Sequence, residues 1–549
     1  MNHNILLPQL SVKAQNGAVV SIDKYASQVG VNILKQGGNA IDAAVATAFA
    51  LAVTHPFAGN LGGGGFMLIR LASGETVGID FRETAPALAT PDMFLKPDGS
   101  VDYDLSNLGY LVAAVPGTVK GLETAWQHYG SLPWATLLQP AINLAQQGIY
   151  LNTYDAASLL KHRQDLARFP ETVKTFFKPD GITYGPQDLL IQPDLANTLQ
   201  IIAEQGAQGF YTGELADKLV ADIQANGGIL QKADLQAYEA KIREPIKGNF
   251  AGYEILGMPL PSSGGIVVQE MLNVLQYLGL DTAKPYNPQS LHLLIETMRY
   301  AFLDRTTYLG DQDWVAVPVA KLLSETHAAN IAAKINPACT TPSVLLTENV
   351  LVQNENMETT HFSVIDKAGN MVSVTVTLEE AFGSKAVVKD LGFLLNCEMH
   401  DFNINPRQTN FQGITPNNPN GIAPHKRMLS SMTPTLVLKA GKPFLITGSP
   451  GGRTILNTVL QIILSTTFYK LPLRQALDLP RISHHWMPDV VYVEKGRWET
   501  ATTQALQAKG HTITEVDFLG DAHSILINPE TGWYEAEADD RRAGWAEGY

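Results

Sequence analysis

Two hydrophobic rhythms alternate along the chain. Ala18 to Ile22 is a short, mostly apolar and β-branched run that predicts a strand. Tyr25 to Lys35 repeats with a helical period until Gly37-Gly38 stops it. Asn39 then caps a second helix that runs to about Val53. This helix is apolar on nearly every side, so it belongs inside the protein rather than on its surface. His55-Pro56 ends it, and a glycine run from Gly62 to Gly65 leads into a strand, Phe66 to Leu71.

From about Val115 to Asn349 the period is mostly helical, with Gly and Pro punctuation and no internal repeat. Within it, the loop Pro259 to Gly265 feeds a helix. After Asn349 the character changes. Met357 to Leu378 is strand-like, Asn403 to Lys426 is a long Pro/Asn-rich loop, and Leu429 to Thr447 returns to strand. Two layers of strand covered by helices is the economical reading, an α+β chain, although period alone does not separate it from other α+β arrangements.

One segment is specific enough to give a register. Thr359 to Asp366 and Asn370 to Leu378 are β-branched and alternating, and Lys367-Ala368-Gly369 lies between them. That pattern predicts a hairpin closed by a three-residue loop with Gly in the left-handed position. If Asp366 pairs with Asn370, Thr377 lies directly opposite Thr359. Thr359, Ser363, Ser373, Thr375 and Thr377 then share one face, where paired threonines can hydrogen-bond. For an arbitrary hairpin, a polar, solvated sheet face would be the ordinary reading. A Thr at the start of a strand has another use if the peptide bond before it is cut. Its hydroxyl attacks and its own freed α-amine, with a pKa near ~8, takes the proton.

Composition narrows the partners. The chain has 549 residues, 45% hydrophobic and 17% charged, with a formal net charge of −14. No basic run is present, so a nucleic-acid partner is excluded as an expectation. Cys339 and Cys397 are the only cysteines. Free thiols are expected in so long a chain, with a single disulfide left open. The N-terminus lacks a basic region followed by an apolar one, and Ala40 to Val53 is too short to span a bilayer. The chain therefore reads as soluble and without an export signal, cytoplasmic as given and periplasmic or secreted if a signal was removed.

Several ordered motifs carry a resemblance. They are Gly37 to Ala44, Gly62 to Phe66, Asp80-Phe81-Arg82-Glu83, Pro116 to Val119, Glu358 to Val364, Asn396 to Phe402, Leu429 to Thr435 and Gly448 to Gly452. Together they resemble the γ-glutamyltransferase family of N-terminal-nucleophile hydrolases, over essentially the whole chain. The resemblance implies a four-layer αββα sandwich made as one precursor. Self-cleavage between Glu358 and Thr359 would give a large subunit, residues 1–358, and a small one, residues 359–549, intertwined in one globular unit.

It also implies roles. Thr359 matches the nucleophile and Thr377 a supporting Thr, in agreement with the register. Arg82 matches the residue that binds the substrate α-carboxylate, and its planar fork suits a carboxylate. Glu398 and Asp401 match the pair that receives the α-amino group. Ser430 and Ser431 match hydroxyls that share the carboxylate with Arg82. Gly451 and Gly452 match the oxyanion hole, at a junction where two N–H groups can face a developing charge. Glu379 matches a substrate-binding position but stands where some members carry Asn, a departure that bears on contacts to the substrate's α-groups, while Cys397 and His400 replace more usual Asn and Asp. The loop from Asn403 to Lys426 resembles a lid, with Phe411 or Gln412 near its tip.

Rival motifs fail on spacing. Gly448 to Gly452 lacks the Lys of a phosphate loop and is not a GxSxG elbow, and Gly62 to Gly65 is not a dinucleotide fingerprint. His484 and His485, adjacent on a strand, would point to opposite sides and rarely share one ion. No metal or organic cofactor is implied. The expected partners are γ-glutamyl donors such as glutathione, amino-acid, peptide or water acceptors, and the precursor's own two subunits. Two alternatives stay open: a cephalosporin or glutaryl acylase of the same fold, and a binding homologue that never matures.

Overall fold

A computed structural model describes residues 8–281, 284–346, 358–407 and 418–549. The anticipated lid tip, Phe411 and Gln412, and Met357 lie outside the described residues.

The two early helices form as their sequence dictates. Lys24–Lys35 starts at Asp23, whose side chain accepts the N–H of Ala26 at 2.9 Å. Ala40–Thr54 begins in a capping box made by Asn39 and Asp42, and every one of its residues is buried. Its apolar character on all sides is satisfied by burial between Lys24–Lys35, Trp134–Gln147 and the sheet below.

Two seven-stranded sheets form the centre. The first runs Trp545–Gly548, Gly17–Ser21, Thr360–Asp366, Met371–Thr377, Gly64–Arg70, Thr76–Phe81 and Lys241–Arg243. The second runs Ser11–Ala14, Tyr534–Ala538, His523–Ile527, Lys442–Thr447, Thr435–Lys439, Tyr253–Gly257 and Ile246–Phe250. Phe362, Val364, Val372, Val374 and Val376 of the first sheet pack into a core with the early helices. Ile255, Val437 and Leu445 of the second pack with helices Gly264–Leu275, Pro288–Tyr308 and Thr454–Ile463. Val20, Leu68, Ile365 and Met371 meet Leu256, Leu436, Ile446 and Ile525 between the sheets. Helix, sheet, sheet, helix is the four-layer sandwich expected from the resemblance.

The hairpin register holds. Thr360 pairs with Val376 and Ile365 with Met371, Asp366 donates its N–H to the Asn370 carbonyl, and Gly369 has φ 87°. Extended by one residue, this register sets Thr359 against Thr377. The face they share is not solvated. His361, Ser363, Ser373 and Thr375 are fully buried between the two sheets. There Ser363 Oγ donates to the His523 carbonyl at 2.7 Å, and Ser373 Oγ to that of Thr447 at 3.0 Å. The hydroxyls stitch one sheet to the other, which removes the cost of burying them.

Two segments differ from the periodic reading. The mostly helical middle also contains Lys241–Arg243, Ile246–Phe250 and Tyr253–Gly257, the last two forming an edge hairpin of the second sheet. Ile246–Phe250 alternates half-buried and exposed positions filled by Lys247 and Asn249, so it shows little of the apolar density that marks a strand. The stretch from Leu429 to Thr447 is a hairpin, Thr435–Lys439 and Lys442–Thr447, turning at Ala440 (φ 50°) and Gly441 (φ 74°). Its first residues stay irregular and serve the site described next.

Candidate active site

At one end of the hairpin lies a cavity lined by Arg82, Thr359, Thr377, Glu379, Asp401, Ser430, Ser431, Met432, Gly452 and Ile455. Eight of these ten were singled out from sequence. Glu398 and Gly451, also singled out, lie directly behind this lining in contact with it.

Arg82 follows the strand Thr76–Phe81 and is fully buried. Its guanidinium ion-pairs with Glu398 and Asp401, and reaches Glu83 at 3.4 Å. Its Nε also donates to the Met428 carbonyl at 3.3 Å, just ahead of Ser430. Burial works against the charge on Arg82, but the three carboxylates outweigh it and hold the guanidinium charged above its usual range. Burial in turn pushes the Glu83 carboxyl up to about 7, opposed by Arg82. Glu398 is pushed well above the ordinary carboxylate range by its complete burial, again against Arg82. Asp401 is the carboxylate of the pair that reaches the cavity, and Glu398 stands behind the guanidinium.

Glu379 follows the second hairpin strand in a left-handed conformation, φ 78°, which non-glycine residues avoid at a cost of about 1–3 kcal/mol. Its backbone N–H donates to Thr377 Oγ1 at 2.8 Å, and Cys397 Sγ donates to its Oε2 at 3.0 Å. Burial raises the Glu379 carboxyl well above its usual range. Cys339 and Cys397 are both free thiols, Cys397 buried and its thiol pushed up by burial. His400 turns away from the cavity, with Nδ1 3.3 Å from Ser106 Oγ.

The peptide before the nucleophile candidate and the strand end facing it are both held. Thr377 Oγ1 donates to the carbonyl of Glu358 at 3.0 Å, on the bond that precedes Thr359. Asn60, not singled out from sequence, donates Nδ2 to the Thr377 carbonyl at 2.8 Å and accepts from Gly63 N–H and Thr118 Oγ1. The glycine run beside it is required for close approach. A Cβ at Gly63 would lie 2.1 Å from the Thr377 carbonyl oxygen.

The serines rest on the loop Pro259 to Ser263. Ser263 N–H and Oγ both donate to the Ser430 carbonyl at 2.8 Å, and Ser430 N–H donates to that of Pro261 at 2.9 Å. Arg305 donates to Ser431 Oγ at 2.9 Å and to Ser263 Oγ at 3.0 Å. These supports had no sequence signal beyond the loop itself, because they join residues 42 to 167 positions apart.

Gly451 (φ 129°) and Gly452 (φ 51°) precede the helix Thr454–Ile463. Their carbonyls accept from the N–H groups of Thr454 and Ile455, both at 3.0 Å. Among the described residues, neither glycine N–H is donated to a protein acceptor. Two undonated N–H groups ahead of a helix are chemically able to face a developing negative charge.

Potential metal ligands cluster elsewhere. His292, Glu296 and His511 form one group, and Glu270, Asp304 and His327 another. In the first, His292 hydrogen-bonds His511 and the Asn336 carbonyl, while Glu296 serves Arg299 and Thr340. In the second, His327 Nε2 lies 2.7 Å from Asp304 and 3.3 Å from Glu270 as an ion triad. Neither group borders the cavity. His484 pairs with Asp489 at 3.2 Å, and His485 with Ser483 Oγ at 2.8 Å, on separate partners.

Comparison with known proteins follows the same outline. A model of the gamma-glutamyltranspeptidase family matches residues 26–549. The glutathione hydrolase proenzyme of Escherichia coli (strain K12) is 43% identical over 538 residues, 97% of this chain and 93% of that protein. The crystal structure of gamma-glutamyltranspeptidase from Helicobacter pylori is 45% identical, with a TM-score of 0.58 over 58% of this chain and 92% of that one. The crystal structure of a cephalosporin acylase from Bacillus halodurans is 28% identical, with a TM-score of 0.85 over 100% of this chain and 98% of that one.

Proposed function

The chain belongs to the gamma-glutamyltranspeptidase family, and from that premise we propose that it cuts itself between Glu358 and Thr359 and then acts on γ-glutamyl amides through Thr359. The observation that carries this reading is one cavity in which Thr359 stands with Arg82, Asp401 and the two serines. In self-cleavage, Thr359 Oγ attacks the Glu358 carbonyl carbon and the C–N bond breaks, leaving an ester and a free amine. Water then hydrolyses the ester, and the new N-terminus carries both nucleophile and base.

In turnover, the zwitterionic head of the donor meets complementary charges. Arg82, with Ser430 and Ser431, receives the α-carboxylate, and Asp401, backed by Glu398 and joined by Glu379, receives the α-ammonium. The γ-carbonyl then faces Thr359. Thr359 Oγ adds, its proton passes to the α-amine, and the oxyanion takes the N–H groups of Gly451 and Gly452. Thr377 holds the nucleophile across the hairpin. The amine leaves with the proton, and water or the amine of an amino acid or peptide resolves the γ-glutamyl ester. Glutathione is the proposed donor, in keeping with the names of the relatives, and cysteinylglycine the first product. The residues named need no metal or organic cofactor for these steps.

The likeness to a cephalosporin acylase favours a second reading, in which a glutaryl group takes the place of γ-glutamyl. A glutaryl chain has no ammonium, so Asp401 and Glu379 would face an apolar methylene at a cost in desolvation. Two measurements decide. Sequencing the small fragment should begin at Thr359, and Thr359→Ala should leave one uncut, inactive chain; two fragments from that variant would sink the mechanism. Rates on γ-glutamyl- and glutaryl-p-nitroanilide should favour the first, and a preference for glutaryl would move the protein to the acylases.

A further inference from the structure

The fold carries one buried cation to the bond that precedes Thr359. Arg542 lies a few residues beyond the strand Tyr534–Ala538, and its side chain is 2% exposed. Its Nη2 stands 2.9 Å from Glu358 Oε2. The guanidinium is enclosed by the rings of Phe57, Tyr154 and Phe518, at 5.6, 5.7 and 5.4 Å. These rings come from the turn after the helix Ala40–Thr54, from the helix Thr153–Leu166 and from the segment before Leu519. Residue 358 is thus gripped twice. Thr377 Oγ1 donates to its carbonyl at 3.0 Å, and Arg542 pairs with its side chain.

Attack on a peptide carbonyl needs the carbon fixed in distance and direction relative to the nucleophile. One hydrogen bond to the carbonyl oxygen leaves the peptide free to swing about that contact. A second anchor on the side chain removes this freedom. Aromatic faces favour a cation and hold the guanidinium in place. Burial disfavours the Arg542 charge, and Glu358, with Tyr154 and Asp521, raises it instead.

We propose that Arg542 is a positioning residue for self-cleavage, clamping the Glu358 side chain so that the carbonyl held by Thr377 faces Thr359 Oγ, and that it takes no part in turnover once the bond is cut. The inference rests on the reading that Glu358–Thr359 is the bond broken. Arg542 does not line the substrate cavity, and Asp521 remains as a nearby counter-charge when the Glu358 end departs.

The test follows conversion of freshly purified full-length chain into two fragments, for the native sequence, Glu358→Gln, Arg542→Gln and the double variant. Each single change should slow cleavage about tenfold or more, the effect of breaking one largely buried ion pair. The double variant should be no slower than the slower single, because both remove the same interaction. Once matured, each variant should show the native kcat and KM on γ-glutamyl-p-nitroanilide. Native cleavage rates in both singles, multiplied effects in the double, or a fall in kcat of the matured enzyme would overturn the proposal. If Arg542→Gln fails to fold, Glu358→Gln and Glu358→Asp decide alone, since Glu358 is partly exposed and its loss strands no protein core. A small fragment that begins at a residue other than Thr359 would defeat the cleavage reading itself, whatever the rates.

Discussion

Arg82 combines two duties that a single substitution separates. It ion-pairs with Glu83, Glu398 and Asp401 while fully buried itself, and under the proposed function it offers a planar fork to a carboxylate in the cavity. Removing the cation with Arg82→Ala strands the buried carboxylates of Glu83 and Glu398 and the part-buried one of Asp401, a defect that costs about 3–5 kcal/mol when a buried pair is broken. That variant is expected to fail in stability before its activity can be read. Arg82→Lys keeps the charge but loses the fork, so it should fold, mature and bind poorly. KM for a γ-glutamyl donor should rise about tenfold or more with a smaller change in kcat, as loss of ground-state binding requires. Steady-state kinetics on the matured variant check this, and an unchanged KM would remove Arg82 from carboxylate recognition.

At the scale of elements, the site is a meeting of loops held by distant supports. The loop that carries Ser430 and Ser431 leans on Pro259 to Ser263, which opens the helix Gly264–Leu275. That helix is tied through Glu270 to Asp304 on Pro288–Tyr308 and His327 on Glu325–Lys334. Hydrogen bonds to Asp304 and then Glu270 raise the His327 imidazole from 6.5 to about 9. The folded state therefore holds this proton more tightly than the unfolded chain. Its stabilisation is complete below a pH of 6.5 and is lost as the pH rises through about 9. His327→Gln should lower Tm clearly at about pH 6 and hardly at all near pH 10. Thermal melts of both proteins across that range provide the check, and a pH-independent gap would show that the triad acts through packing alone.

The whole molecule explains why a cut at Glu358 need not separate the halves. In the first sheet, Thr360–Asp366 and Met371–Thr377 from the small piece lie between Gly17–Ser21 and Gly64–Arg70 from the large one. In the second, Ser11–Ala14 and Tyr253–Gly257 of the large piece flank four strands of the small one. Separation would break sheet ladders on both sides of each block and open every core that the two pieces share. The fragments are expected to run as two bands under denaturing conditions and as one species in native size-exclusion chromatography. Two native peaks without denaturant would contradict the interleaving.

What could be read from sequence was local or periodic. Asn39 and Asp42 cap their helix within one turn, and a three-residue loop with Gly369 sets the register that opposes Thr359 to Thr377. Local rules suffice there, because each contact spans a few residues. The motifs then pointed through resemblance to Arg82, Asp401, Ser430, Ser431 and Gly452, all of which the fold brings to one cavity. Alternation determined which residues share a hairpin face, but not what that face meets. Only the second sheet turned a face that could have been solvated into a buried seam of hydroxyls. Arg82 and Asp401 stand 319 residues apart and Asn60 and Thr377 317 apart, and Arg542 likewise meets Glu358 from far along the chain. No periodicity records such pairs, since they arise from how layers stack rather than from how any one element forms.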